Sequence, residues 1–209
     1  MSNELSVKEK IMHFAKQEFL YHGFKDASLR NIAAATGMTT GAIYTYFKDK
    51  NALFEAIVDP VCIQVKEIFD ALSSSYYDTE TVISDITIQK SLDNFYLIYD
   101  FIYKHFDVFR LLVVEADGSS KSDFVHTIVD YEVKHTLAYL DRMKKKNNLY
   151  VEIDCSTLHI ISESYINALL EPVRHNMSHE EALKNLDFLV IFYSGGWQSV
   201  FNELFNEKK

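Results

Sequence analysis

Two prolines and six glycines in 209 residues leave this chain almost without punctuation. Folds of many short strands need turns, and turns draw on those two residues, so long helices are the default here. With 48% hydrophobic residues the chain can bury a large core, in one domain or two. The expected fold class is all-α.

Local patterns divide the first fifty residues. Val7, Ile11, Phe14, Ala15 and Phe19 form the one-sided stripe of a helix lying on a core. Gly23 can stop that helix after His22 in a left-handed conformation, with Phe24 falling back on Phe19 in a Schellman arrangement. Ser28 then caps a short helix whose Leu29, Ile32 and Ala33 face one way, and Gly37 ends it. Thr39 caps the next helix, with Met38 and Ile43 placed as a hydrophobic staple across that cap. So tight a turn between two short helices predicts a helix-turn-helix. Ile43 and Phe47, four apart, supply the buried side of the third helix; Asp49 caps a fourth, expected to end near Ala71 before a loop at SSSYYDTE.

The domain boundary is placed near residue 50, giving a helix-turn-helix head of residues 1–50 and a larger helical domain of 51–209. Further helices are expected at roughly 80–104, 106–116, 122–146, 154–175 and 179–206, about nine in all. Charge divides in the same place. The formal net charge is -9, yet residues 1–50 hold seven basic against five acidic side chains, so the acidity lies in the larger part. Such asymmetry points to different partners for the two parts, and a basic head suits DNA. The N-terminal MSNELSVKEK has no apolar signal core and no run of eighteen apolar residues occurs, so a cytoplasmic protein without membrane contact is expected. Cys62 and Cys155 stand alone without metal or disulfide spacing and read as small buried or half-buried hydrophobes.

A helix entering the major groove needs short side chains at its start, so that the backbone can approach, and hydroxyls for phosphates or base edges. Thr39, Thr40, Gly41 and Thr45 meet that need, Tyr44 and Tyr46 can donate to phosphate oxygens, and Lys50 can add its charge at a helix start. Ser28 and Arg30 can hold the same strand from the second helix. Without arginine, asparagine or glutamine in this turn, bidentate base reading is largely absent, which shifts specificity toward methyl contacts, water and DNA shape.

Phe14 followed by YHGFKDASLRNIAAATGMTTGAIYTYFKDKNALFEAIV resembles the N-terminal domain of the TetR-type one-component transcriptional regulators. Gly23, Phe24, Ser28, Leu29, Ile32, Ala33, Gly37, Met38, Thr39, Gly41, Ile43, Tyr44, Tyr46, Phe47, Lys50 and Leu53 fill the family's pattern. Tyr46 stands where histidine is commoner, and Thr40 where a lysine or arginine is frequent. The resemblance implies a homodimer on a palindromic operator, and a C-terminal helical domain that binds a small molecule and dimerises through its last two long helices.

Within that larger domain, amphipathic rings and scarce polar groups mark Tyr96, Tyr99, Tyr103, Phe109, Glu115, His126, Tyr131, Tyr165 and Trp197 as effector-binding candidates. Carboxylates beside aromatics would suit a lipophilic cation, and an apolar tunnel an acyl chain. Phe95, Tyr99, Ile102, Phe106 and Phe109 form a core stripe, and Tyr96, Asp100, Tyr103 and Asp107 a polar one. Tyr165, Ile166, Leu169 and Leu170 in one helix, with Phe188, Ile191, Phe192, Val200 and Leu204 in the next, would make a four-helix interface with a two-fold mate. Gly195 and Gly196 permit either close helix approach or a kink.

No nucleophile, phosphate-loop or dinucleotide motif occurs, so catalysis and cofactors are not expected. The pairs His126/Asp130 and His159/Glu163 each lack a third ligand at telling spacing, so no metal is expected. The resulting expectation is a ligand-responsive repressor, a homodimer on a palindromic operator, released by a small hydrophobic or aromatic, cationic effector. The alternative is a DNA-tethered adaptor whose acidic domain binds a protein partner.

Overall fold

The structure, a computed structural model, describes residues 6–78, 88–147 and 153–206, with side chains except at 73–78, 88–91, 143, 146, 147 and 201–206. Among the described residues all regular structure is helical: α1 Val7–Asp26, α2 Leu29–Thr36, α3 Thr40–Tyr44, α4 Lys50–Asp78, α5 Ile88–Lys104, α6 Phe106–Val113, α7 Phe124–Asn147, α8 Cys155–Arg174 and α9 His179–Asn206. None of these helices is long and apolar enough to cross a membrane.

Contacts gather the described residues into two compact units. The first runs to Gln64 and takes in His105–Phe124; the second holds Val65–Lys104 and the residues from Val125 on. Where the sequence places a boundary near residue 50, packing carries the first unit further. Leu53, Phe54, Ile57, Val58 and Val61 of α4 are buried with Ile11, Ala15, Phe19 and Phe24 of α1, and α6 lies against α1. A head ending at residue 50 would leave that apolar row in water.

The regular helix of α1 breaks at Gly23 after His22, as expected, at φ +71°, ψ 163°, a region only glycine occupies readily, and a further helical turn follows to Asp26. The closure of that break differs from expectation. The Phe24 N–H donates to the Glu115 carbonyl at 2.8 Å instead of closing a Schellman motif, though the Phe24 ring still returns to Phe19 at 5.8 Å. α4 corrects a second expectation: it runs past Ala71 and through SSSYYD to Asp78, because no glycine or proline interrupts it there. Cys155 is exposed at the start of α8, while Cys62 is half-buried as expected.

In the second unit α5 and α8 both pack on α9. The α8–α9 corner is closed locally. Asn176 takes φ +52°, the Met177 N–H reaches the Pro172 carbonyl at 2.9 Å and the Asn176 N–H reaches Val173, a Schellman closure built on asparagine. Ser178 and Glu181 then form a reciprocal capping box that starts α9. Gly195 and Gly196 lie within α9 without ending it.

Candidate nucleic-acid interface

Short-range bonds set the turn between α2 and α3. The Ser28 hydroxyl accepts from the Arg30 N–H at 3.2 Å, and the Ser28 N–H donates to Glu18 of α1, which also holds Asn31 at 2.9 Å. At the other end Gly37 adopts φ +73°, ψ 24°, while the Met38 N–H reaches Ala33 and the Gly37 N–H reaches Ala34, a full Schellman closure. The Thr39 hydroxyl then accepts from the Ala42 N–H at 3.2 Å and begins α3. Asp49 caps α4 through the Ala52 N–H at 2.8 Å.

α3 divides by face. Ile43 and Phe47 are buried in the core of the head, whereas Tyr44 and Tyr46 are 52% and 45% exposed, and Thr39, Gly41 and Thr45 are exposed beside them. Thr40 is half-exposed. The Thr45 hydroxyl donates to the Ala42 carbonyl at 2.7 Å, which leaves its methyl and oxygen lone pairs for a partner. An added Cβ at Gly41 would meet only the Thr39 hydroxyl, at 3.9 Å, so the surface above it is open. Two phenols, hydroxyls and bare backbone on one outward face fit a groove lined with phosphates and base edges.

The cations distribute less simply than the sequence suggests. Lys50 turns inward: its ammonium donates to the Lys25 and Ala27 carbonyls at 2.9 and 3.1 Å and stands 4.7 Å from the Phe24 ring. It clamps the end of α1 to the start of α4. Arg30 is exposed at the start of α2. Lys48, with a side chain 88% exposed and only a 3.9 Å approach to Asp49, stands next to the hydroxyl face and was missed in the sequence reading. Its signal was there, a basic residue directly after the buried Phe47 that ends the recognition segment.

Lys50→Met should therefore act first on stability. Losing two charge-assisted bonds to carbonyls is worth about 1.5–3 kcal/mol each at most, and the half-buried setting reduces that, so a loss of about 1–2 kcal/mol in urea unfolding is expected. The slope of log affinity against log salt should change by less than one phosphate contact; a full unit of change would place Lys50 on the DNA instead.

Comparison with known proteins meets this geometry at the same residues. The family model described as bacterial regulatory proteins, tetR family, matches residues 11–57, from the buried Ile11 of α1 to Ile57 of α4. Residues 11–57 are thus similar to the domain that the tetR family of bacterial regulatory proteins shares. It is 22% identical to the HTH-type transcriptional repressor AcnR of Corynebacterium efficiens over 87% of this chain and 89% of that one. With the HTH-type transcriptional regulator AcrR of Shigella flexneri it shares 44% identity, but over 24% of this chain and 23% of that one. A TetR-like transcriptional regulator from Rhodococcus sp. RHA1 shares the fold at a TM-score of 0.58 and 17% identity, across 88% of this chain and 93% of that structure. These relatives are named as regulators or repressors of transcription.

The effector candidates divide between the two units. Phe109 and Glu115 belong to the first unit. There Phe109 is buried against Phe124 at 6.3 Å, and the Glu115 carboxylate accepts from Arg110 at 3.1 Å. In the second unit the phenols of α5 join helices: Tyr99 donates to the Leu169 carbonyl at 3.0 Å, Tyr103 to that of Met177 at 3.0 Å, and Tyr96 to Asp187 at 2.5 Å. Burial pushes the Tyr99 phenol well above the usual tyrosine range, so it stays a neutral donor. Asp100 meets His179 at 3.1 Å, which completes a polar seam between α5 and the α8–α9 end. Tyr165 stands between Phe95 and Tyr193, His126 faces His159 at 5.4 Å, Tyr131 lies 6.2 Å from Phe69, and Trp197 is half-buried on α9. Among the described residues no cluster of three metal-ligating side chains forms around either histidine pair.

The residues expected at a dimer interface separate into two sets. Ile166, Leu169 and Leu170 are buried in the chain's own core, and Tyr165 is half-buried. Phe188, Ile191, Phe192 and Val200 are exposed along α9, as is Ile160 on α8; the Leu204 side chain lies outside the described residues.

Proposed function

We propose that the chain is a ligand-responsive repressor that binds a palindromic operator as a homodimer and is released when its second unit takes up a small amphipathic effector. The observation that carries the reading is the outer face of α9. Phe188 and Phe192 are 71% and 64% exposed, Ile191 and Val200 join them, and Gly195 and Gly196 fall on the same line at seven and eight residues from Phe188. Nothing lies within 4 Å of an added Cβ at either glycine. A bare stretch amid large apolar side chains lets a partner helix approach closely, and a two-fold mate would bring the same face.

Two heads joined by such a mate read half-sites about 34 Å or a whole number of helical turns apart, and an effector that favours another separation releases them. α4 contributes residues to both units, so a shift of α4 would be the connection between effector and head. DNA contacts are assigned to Ser28, Arg30, Thr39, Thr40, Gly41, Tyr44, Thr45 and Tyr46, with Lys48 added and Lys50 holding their scaffold.

Sedimentation equilibrium tests the assembly. The wild-type chain should be a dimer, and Phe192→Asp, which places a charge in both copies of the symmetric contact, should raise the dimer dissociation constant about a hundredfold or more. A Phe192→Asp chain that remains dimeric at the wild-type concentration would remove α9 as the interface.

A further inference from the structure

α1 begins beside the end of the recognition segment, a juxtaposition that the contacts assigned above do not use. Ile11, Ala15 and Phe19 are fully buried, and Lys8 continues their row one turn earlier, at the spacing of three and four that keeps residues on one side of a helix. The row leaves the core at Lys8, which is exposed. There its ammonium stands over the ring of Phe47, 5.6 Å from the centroid. A lysine at the rim of a core lays its stem along apolar surface and carries its charge into water. Glu9, the carboxylate next to it in the chain, is committed to the start of α1, where it accepts from the Ser6 N–H at 2.8 Å and from the Ser6 hydroxyl at 2.7 Å.

Phe47 itself is buried, but its two neighbours in the chain point outward: Tyr46 is exposed, and so is the side chain of Lys48. The ammonium over the Phe47 ring therefore reaches the edge of the head that Tyr46 and Lys48 occupy, from a distant part of the chain. That edge is short of charge by sequence alone. Residues 39–47 contain no lysine or arginine, and Lys50 gives its ammonium to the Lys25 and Ala27 carbonyls. A duplex is held largely through its phosphates, and a lysine that neutralises one releases a counterion whatever the base sequence.

We propose that Lys8 is a further phosphate contact of the head, a positioning residue that holds the DNA backbone from the start of α1 next to Tyr46 and Lys48. The proposal rests on the DNA reading above and adds α1 to the elements that touch the duplex. Three elements then grip the backbone around the hydroxyl face: α2 through Arg30, the end of the recognition segment through Lys48, and α1 through Lys8. Because the contact is with phosphate, Lys8 contributes affinity and register and no choice of base.

The test is fluorescence anisotropy of the full chain on two labelled duplexes, one of random sequence and one selected by this protein from a random library, each titrated with potassium chloride. Lys8→Met should bind both about five- to tenfold more weakly at low salt, and should flatten log affinity against log salt by about 0.9, the share of one phosphate. Lys8→Gln should do the same, and Lys8→Arg should keep the wild-type slope. Lys10→Met, at an exposed position about 200° round the helix from Lys8, should leave the slope unchanged. Circular dichroism of each variant reads its helicity. A wild-type slope in Lys8→Met overturns the assignment, as does a loss that only follows lost helicity, which would make Lys8 a support for Phe47. An equal loss in Lys10→Met overturns it as well, since net charge and not place would then be the cause. A loss confined to the selected duplex would make Lys8 a base reader and removes the phosphate contact. Each of those results leaves the DNA reading standing, whereas a wild type that binds neither duplex removes both.

Discussion

Gly41→Leu is expected to leave the fold intact and to lower affinity for operator DNA by at least about a hundredfold, roughly 3 kcal/mol. The fold has no reason to object. Gly41 sits in α3 with ordinary helical backbone, and an added Cβ meets only the Thr39 hydroxyl, at 3.9 Å. Glycine is about 0.8–1 kcal/mol worse than alanine within a helix, so the substitution should if anything stabilise α3. The position keeps glycine against local propensity. On the proposed interface the change removes the close approach of backbone to the duplex, and with it the contacts assigned to Thr39, Thr40, Tyr44 and Thr45 together. Gly41→Ala should lie between the two. Anisotropy with labelled operator, beside circular dichroism and a melting curve, reads both halves; a bulky side chain that binds like the wild type would remove α3 from the interface.

Phe54→Ala is the counterpart, a change that should destroy the head without touching its outer face. Phe54 is fully buried, with Phe19 at 5.2 Å and Phe24 at 5.1 Å in edge-to-face geometry. Truncating such a ring costs about 3–5 kcal/mol, a large share of the roughly 5–15 kcal/mol that holds a domain together. Part of that cost is the lost edge-to-face pairing, at about 0.5–1.5 kcal/mol per pair. Denaturant unfolding should show the full loss. Operator binding by Phe54→Ala should then fall in step with the unfolded fraction, whereas Gly41→Leu should lose binding at full helicity. A Phe54→Ala protein within 1 kcal/mol of the wild type would mean that α4 does not complete the core of the head.

The parts of the head that were legible in the sequence are those that depend on residues a few positions apart. Ser28, Gly37, Thr39 and Asp49 each close or open a helix with a partner within five residues, and each does so in the structure. The division of α3 into buried Ile43 and Phe47 and exposed tyrosines follows from helical spacing alone. What escaped the sequence depends on distant chain. The Glu115 carbonyl, about ninety residues on in the chain, takes the Phe24 N–H, so the break at Gly23 is not closed by the expected Schellman motif. Lys50 is a plausible phosphate contact by position, but two carbonyls exposed where α1 meets α2 claim its ammonium first.

The same reason explains the second unit. Tyr96, Tyr99 and Tyr103 have the composition of a ligand wall, but phenols on a helix also serve to join it to neighbours, and here each reaches a carbonyl or carboxylate on α8, α9 or the turn between them. Ile166, Leu169 and Leu170 look no different in sequence from Phe188, Ile191 and Phe192. Only packing sends the first set inward and leaves the second exposed.

The most direct measurement is selection of bound sequences from a random DNA library by the full chain, followed by nuclease footprinting of the winning sequence. The reading predicts an inverted repeat with half-sites a whole number of helical turns apart, protected by the wild type and not by Gly41→Leu. Enrichment of no sequence, or a footprint without two-fold symmetry that Gly41→Leu reproduces, would contradict it.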